Sequence, residues 1–202
     1  MGLPKWLSLM VTRPRDCSWV PNHFENITVQ DFECRSDPDD DYNCIAWALG
    51  KTHQFWWPRD LGGFYWPPGL PKEPLNQETI DNFIAAFRTE GYKRCRNGRP
   101  QHKYQKIALY VNAQRRPKHA ARLLDTGKWT SKLRPSEDIE HRTLQCVEGR
   151  DYGRAVMFFK RKLPQYRRED NPLTRFRSFL STLLQRARGK FSPIPKENPT
   201  AS

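Results

Sequence analysis

The sequence predicts an α+β domain, and three observations carry that reading. Two helical segments come early, strands joined by short turns follow them, and proline-rich irregular stretches lie between.

The first helix falls over Tyr42–Leu49. Asp40 or Asp41 can cap it, acidic side chains favour its first turn, and Gly50 can stop it. The next stretch, His53–Pro74 (HQFWWPRDLGGFYWPPGLPKEP), carries prolines and paired glycines that exclude a regular element. A second helix follows. Asn76 caps it, Ile80, Phe83, Ile84 and Phe87 form one apolar face, and Gly91 ends it. Cys95–Lys103 reads as a polar loop, and Ile107–Val111 (IALYV) as a strand. His119–Leu124 and Trp129–Leu133 form a hairpin around Asp125-Thr126-Gly127, and Tyr152–Phe159 is a further strand. Beyond it, Pro172–Arg188 sets Phe176, Phe179, Leu180, Leu183 and Leu184 on one face and its arginines largely elsewhere. That is a basic amphipathic helix, ahead of a Pro-rich remainder expected to be disordered. The chain thus divides into an irregular lead (1–38), a folded domain (39–161) and a basic tail (162–202).

Composition narrows the class. The 202 residues suit one compact domain, with a core built from 7 Trp and 11 Phe more than from aliphatics. No stretch approaches the ~18 apolar residues of a membrane span. The first residues lack a signal-peptide pattern, and Trp6 stands where myristoylation needs Ser or Thr, so the expected location is the cytoplasm. Export by a dedicated secretion system would not need such a signal. Five cysteines without paired spacing argue against a disulfide scaffold, and the lack of CxxC argues against a zinc module. No spacing among His53, His119 and His141 supports a metal site, and no cofactor is expected.

The formal charge of +13 is uneven. From Lys160 to Ser202 there are 11 basic and 3 acidic residues, so over half of the excess reads as a property of the tail. The amphipathic helix over 172–188 suits an anionic membrane surface or a protein groove. Nucleic-acid binding ranks below enzymatic chemistry, because no recognised binding motif is present.

The candidate chemistry centres on Cys44. Near the start of a helix, unpaired backbone N–H groups favour a thiolate and can hold an oxyanion, to which Asn43 can add a donor. His119, at a strand start, can face a helix N-terminus and serve as base and then acid. A third residue should orient the imidazole. Asp138 is the first choice for its charge, with His141 and Ser131 as alternatives. Trp47, Trp56, Trp57 and Trp66 can flank a substrate. The plainer readings stand beside these: Cys44 as a packed core thiol, the aromatic run as a loop pinned by its own rings, and the EDIEH segment as a solvated helix start.

The segments YNCIAWALG, KIALYV, HAARLLDTGKWTSKL and EDIEH together resemble an uncharacterised, mostly bacterial domain family over about Asp39–Lys160. That family is similar in layout to the papain-like NlpC/P60 superfamily of cysteine peptidases and amidases. The resemblance implies a papain-like α+β fold, with the cysteine at a helix start, the histidine on a following antiparallel strand and a polar third residue on the next. It implies a thiol hydrolase or acyl transferase acting on a peptide, amide or ester through a Cys44 thioester, with His119 as general base. Ser131 stands where the superfamily has His, Asn or Gln. The alternative the same layout allows is a catalytically inert binding module.

Overall fold

The computed structural model describes residues 16–60, 62–72, 78–133 and 137–167. The compact unit ending at Arg161 holds the fold described below. Of the unit that begins at Lys162, the described part includes one turn of helix, Pro164–Arg167. The amphipathic helix expected over 172–188 lies outside the described residues, and the cap expected at Asn76 is made instead by Thr79, directly before Ile80.

The architecture is mixed, with few helices on a mostly antiparallel sheet of seven strands. In chain order the elements are α1 (Val20–His23), β1 (Phe32–Cys34), α2 (Cys44–Leu49), β2 (Phe55–Trp56), β3 (Phe64–Tyr65) and α3 (Ile80–Thr89). There follow β4 (Lys93–Cys95), β5 (Tyr104–Val111), β6 (Pro117–Leu123), β7 (Trp129–Lys132), β8 (Asp138–His141), a 3-10 turn (Leu144–Val147) and β9 (Arg154–Lys162). The large sheet runs β1-β8-β7-β6-β5-β9-β4, so β1 and β4 are its two edges.

Helix α2 begins two residues later than its pattern suggests. Asn43 caps it instead of Asp40 or Asp41: its Oδ1 accepts from Ala46 N at 3.1 Å, and Cys44 becomes the first helical residue. Gly50, at φ 79°, closes the other end. Thr79 caps α3 through a hydroxyl that accepts from Asn82 N at 3.2 Å. The apolar face of α3 carries Phe83, Ile84 and Phe87 into the core, as its spacing predicts.

Strand β5 sits mid-sheet and is buried without interruption from Lys106 to Val111. A strand covered on both faces needs no polar alternation, which explains the unbroken apolar run IALYV. One face packs under α2 and α3 with Ile107, Leu109 and Ala120. The other packs against the N-terminal segment and the 3-10 turn with Ala108, Tyr110, Ala121 and Trp129.

Four expectations are corrected. The aromatic stretch after α2 does contain regular structure: β2 and β3 pair in parallel, Phe55 with Phe64 and Trp56 with Tyr65. Asp138–His141 is a strand between β1 and β7, because its Ile139 and His141 face the core, and not a solvated helix start. Residues 1–38 are not all irregular, since α1 and β1 form there. Cys17 and Cys34 form a disulfide across 17 residues, tying the lead to edge strand β1. Their spacing carried no pairing signal because the bridge joins two segments that meet only in the tertiary fold.

Candidate functional site

The geometry separates the residues that sequence reasoning put together. Helix α2 lies on β6 and β7, and Cys44 belongs to the core on that side, in company with Ala120. Successive residues of a strand point to opposite faces, so His119 points away from α2. Its neighbours agree. Its ring stacks on Tyr152 with centroids 4.0 Å apart and an interplanar angle of 4°, and meets Tyr110 edge-on at 5.2 Å. Both tyrosines belong to the opposite core. Cys44 and His119 are therefore on two faces of one sheet, and His119 is fully buried.

His119 instead heads a buried polar chain. Its Nε2 lies 2.9 Å from Ser131 Oγ, and that oxygen lies 2.9 Å from His141 Nε2. Nδ1 of His141 is 2.7 Å from the Thr143 carbonyl, which can only accept. The protons follow from that end. His141 donates from Nδ1, so its Nε2 accepts from the Ser131 hydroxyl, and Ser131 Oγ accepts from His119 Nε2–H. His119 Nδ1 is left as a lone pair with no hydrogen-bond partner. Burial depresses both imidazoles: His119 falls well below its ordinary value, with His141 nearby adding to the effect, and His141 falls to about 4. Both rings are neutral at pH 7. The chain ties β6, β7 and the Thr143 turn together.

The α2 face carries a second network. The Tyr42 hydroxyl donates to Asp138 Oδ2 at 2.6 Å, while Asp138 N donates to Ser36 Oγ. Lys132 Nζ lies 4.4 Å from the centre of the Tyr42 ring. Burial raises the Asp138 carboxyl above its usual range, against the pull of Tyr42 and Lys132, and lowers Lys132. Asp138 thus lies on the opposite face from His119 and orients Tyr42. Trp47 stacks on Tyr42 and donates from Nε1 to Thr130 Oγ1, and Arg122 covers its ring at 4.9 Å.

The remaining candidates are engaged as packing and caps. Asn43 Nδ2 donates to the Trp56 carbonyl at 2.9 Å, and its Oδ1 accepts from both Ala46 N and Trp56 N. Both ends of that amide are engaged in holding α2 to β2, and the side chain is buried. Trp56 and Trp66 are buried in the core, so they do not flank a cleft. Trp57 is partly buried and donates to Glu78 at 2.8 Å.

Sequence reasoning missed a different feature. From Gly91 to Leu124 there are ten lysines and arginines and no aspartate or glutamate. The domain's modest net charge hides this run, because acidic residues cluster elsewhere, notably six between Asp31 and Asp41 around β1. The sheet order puts the acidic cluster at edge strand β1, while the acid-free run covers the opposite edge strand β4 and, further in, β5 and β6. The basic excess is thus a property of the domain as well as of the tail. The signal was legible as a 34-residue stretch without acid.

Seven of those ten side chains are exposed: Lys93, Arg94, Arg96, Arg99, Arg115, Arg116 and Lys118. They stand on β4, the loop after it, the β5–β6 turn and the start of β6. Arg115 borders two hollows. One, of about 540 Å³, also holds Arg94 and Arg116; the other, of about 870 Å³, also holds Arg154. Among the described residues only two non-glycines have left-handed backbone, Lys103 (φ 70°) and Arg115 (φ 58°). Both are basic and both lie in the acid-free run.

Fold and site together define a mixed α and β domain with exposed cations on β4, the loop after it and the β5–β6 junction. The chain belongs to the family of the domain of unknown function DUF7689, whose model matches residues 33–160. No curated protein and no solved structure matches it.

Proposed function

We propose that this domain is a binding module for nucleic acid, which it holds by its phosphates along the basic edge of the sheet. The observation that carries the reading is the acid-free run Gly91–Leu124, which leaves seven cations exposed on edge strand β4, the loop after it and the β5–β6 junction. Phosphate backbones are bound mainly by such cations, through release of condensed counterions. Five of the seven exposed cations are arginine, whose fork matches phosphate oxygens in pairs. A membrane surface fits less well, because Val29 and Val156 are the only large hydrophobic side chains exposed among the described residues. A papain-like thiol hydrolase built on Cys44 would need a base other than His119, on the face where α2 lies.

Fluorescence anisotropy of the full chain with a labelled single strand, over a salt series, tests this. Each phosphate contact contributes about −0.7 to the slope of log K against log salt for single strands. The triple variant Lys93→Ala, Arg96→Ala, Arg99→Ala should flatten that slope by about 2. An unchanged slope would place binding on the tail and remove the proposal.

A further inference from the structure

The hollow shared by Arg94, Arg115 and Arg116 has a shape that the basic edge alone does not require. Its volume, about 540 Å³, is on the scale of a pocket for one small ligand, ~300–1,000 Å³. Three guanidinium groups from two elements, β4 and the β5–β6 turn, line it. None of them has a carboxylate within 4.0 Å among the described residues, unlike Arg35, Arg59, Arg142 and Arg161, which are paired. Ile80, Ile84 and Met157 give the hollow an apolar floor.

Backbone strain points the same way. Arg115 holds φ 58°, where an L-residue costs about 1 kcal/mol or more and glycine costs little. Asn112 fixes the turn: its carbonyl accepts from Arg115 N, and its Oδ1 accepts from Arg116 N at 2.9 Å. A residue kept where glycine is cheaper marks its side chain as the useful part.

The lining also carries two acids. Asp81 and Glu78 stand on the α3 side, and Glu78 is held by Trp57 and Arg59. A strand crossing the hollow would carry its next phosphate against Asp81. A strand ending there would not. A terminal phosphomonoester also brings a charge of about −1.5 to −2 and three acceptor oxygens, more than an internal diester.

We infer that this hollow seats the terminal phosphomonoester of a nucleic-acid strand, through Arg94, Arg115 and Arg116. The inference rests on the nucleic-acid reading above and adds selection for a phosphorylated end. The test uses the full chain and one labelled single strand in three forms: 5′-phosphate, 3′-phosphate and hydroxyl at both ends. One phosphorylated form should bind about tenfold tighter than the hydroxyl form, and inorganic phosphate should erode that preference. The preference should vanish in Arg94→Ala, in Arg116→Ala and in Arg115→Gly. The glycine variant relieves the left-handed backbone, so it should keep its thermal midpoint while losing selection, which a merely structural arginine would not do. Equal binding of all three forms, with the salt slope still reduced by the Lys93, Arg96 and Arg99 substitutions, would overturn the seat and leave nucleic-acid binding standing. Absence of binding to any form would overturn both.

Discussion

Acidification is expected to destabilise the sheet through its buried imidazoles before most carboxylates titrate. The perturbation is a drop from pH 7 to pH 5. In the unfolded chain a histidine titrates near 6.5, whereas folded His141 titrates at about 4. The folded value is depressed, so the neutral ring is the one the fold favours. Stability from this group is complete above pH 6.5, falls as pH drops toward 4, and changes little below that. The full loss is about 3 kcal/mol, of which about 2 kcal/mol is spent by pH 5, at roughly 1.4 kcal/mol per pH unit and proton. His119 shifts the same way, so its loss adds as pH falls below the unfolded value. The structural reason lies in the direction of the proton chain. A protonated His141 must donate from Nε2, which turns the Ser131 hydroxyl toward His119 and forces a proton onto its unpartnered Nδ1. Urea unfolding followed by tryptophan fluorescence at pH 7, 6 and 5 measures this. Wild type should lose about 2 kcal/mol more between pH 7 and 5 than His141→Asn, whose amide can still donate to the Thr143 carbonyl without titrating. The same pH dependence in both proteins would refute the reasoning.

Two further outcomes follow from packing and capping. Gly153→Ala should cost about 4 kcal/mol or abolish folding, because φ is +75° and a Cβ there would overlap the Val111 carbonyl; thermal unfolding of the soluble variant checks it. Asn43→Ala should cost about 3 kcal/mol, since it removes a helix cap and strips partners from both backbone groups of buried Trp56. A loss under about 1 kcal/mol in denaturant titration would mean that water replaces the amide at no cost.

Much of the fold was legible in one dimension because it depends on local pattern. The apolar spacing of Ile80, Phe83, Ile84 and Phe87 sets α3, and Asp125-Thr126-Gly127 sets the β6–β7 hairpin. Cys44 was correctly placed at a helix start, since short polar residues followed by an apolar run mark one. The short strands β1 and β8 were not legible. Strand β1 has its pairing partner more than 90 residues away, which no window of sequence contains, and β8, four residues long, alternates charged Asp138 and Glu140 with Ile139 and His141.

The pairing of Cys44 with His119 depended on which face of a strand a side chain takes. In a strand buried on both faces, HAARLL has no polar alternation to reveal that parity. A shift of one residue moves an imidazole from one core to the other. The sequence by itself determined the helices, the hairpin, the acid-free run Gly91–Leu124 and the total charge, because each is a property of neighbours along the chain. Only the tertiary structure decided that His119 joins Ser131 and His141 on the face away from Cys44, and that acidic β1 and basic β4 stand at the two edges of the sheet. Strand order and strand parity are fixed by packing across the sheet, between residues far apart in the chain.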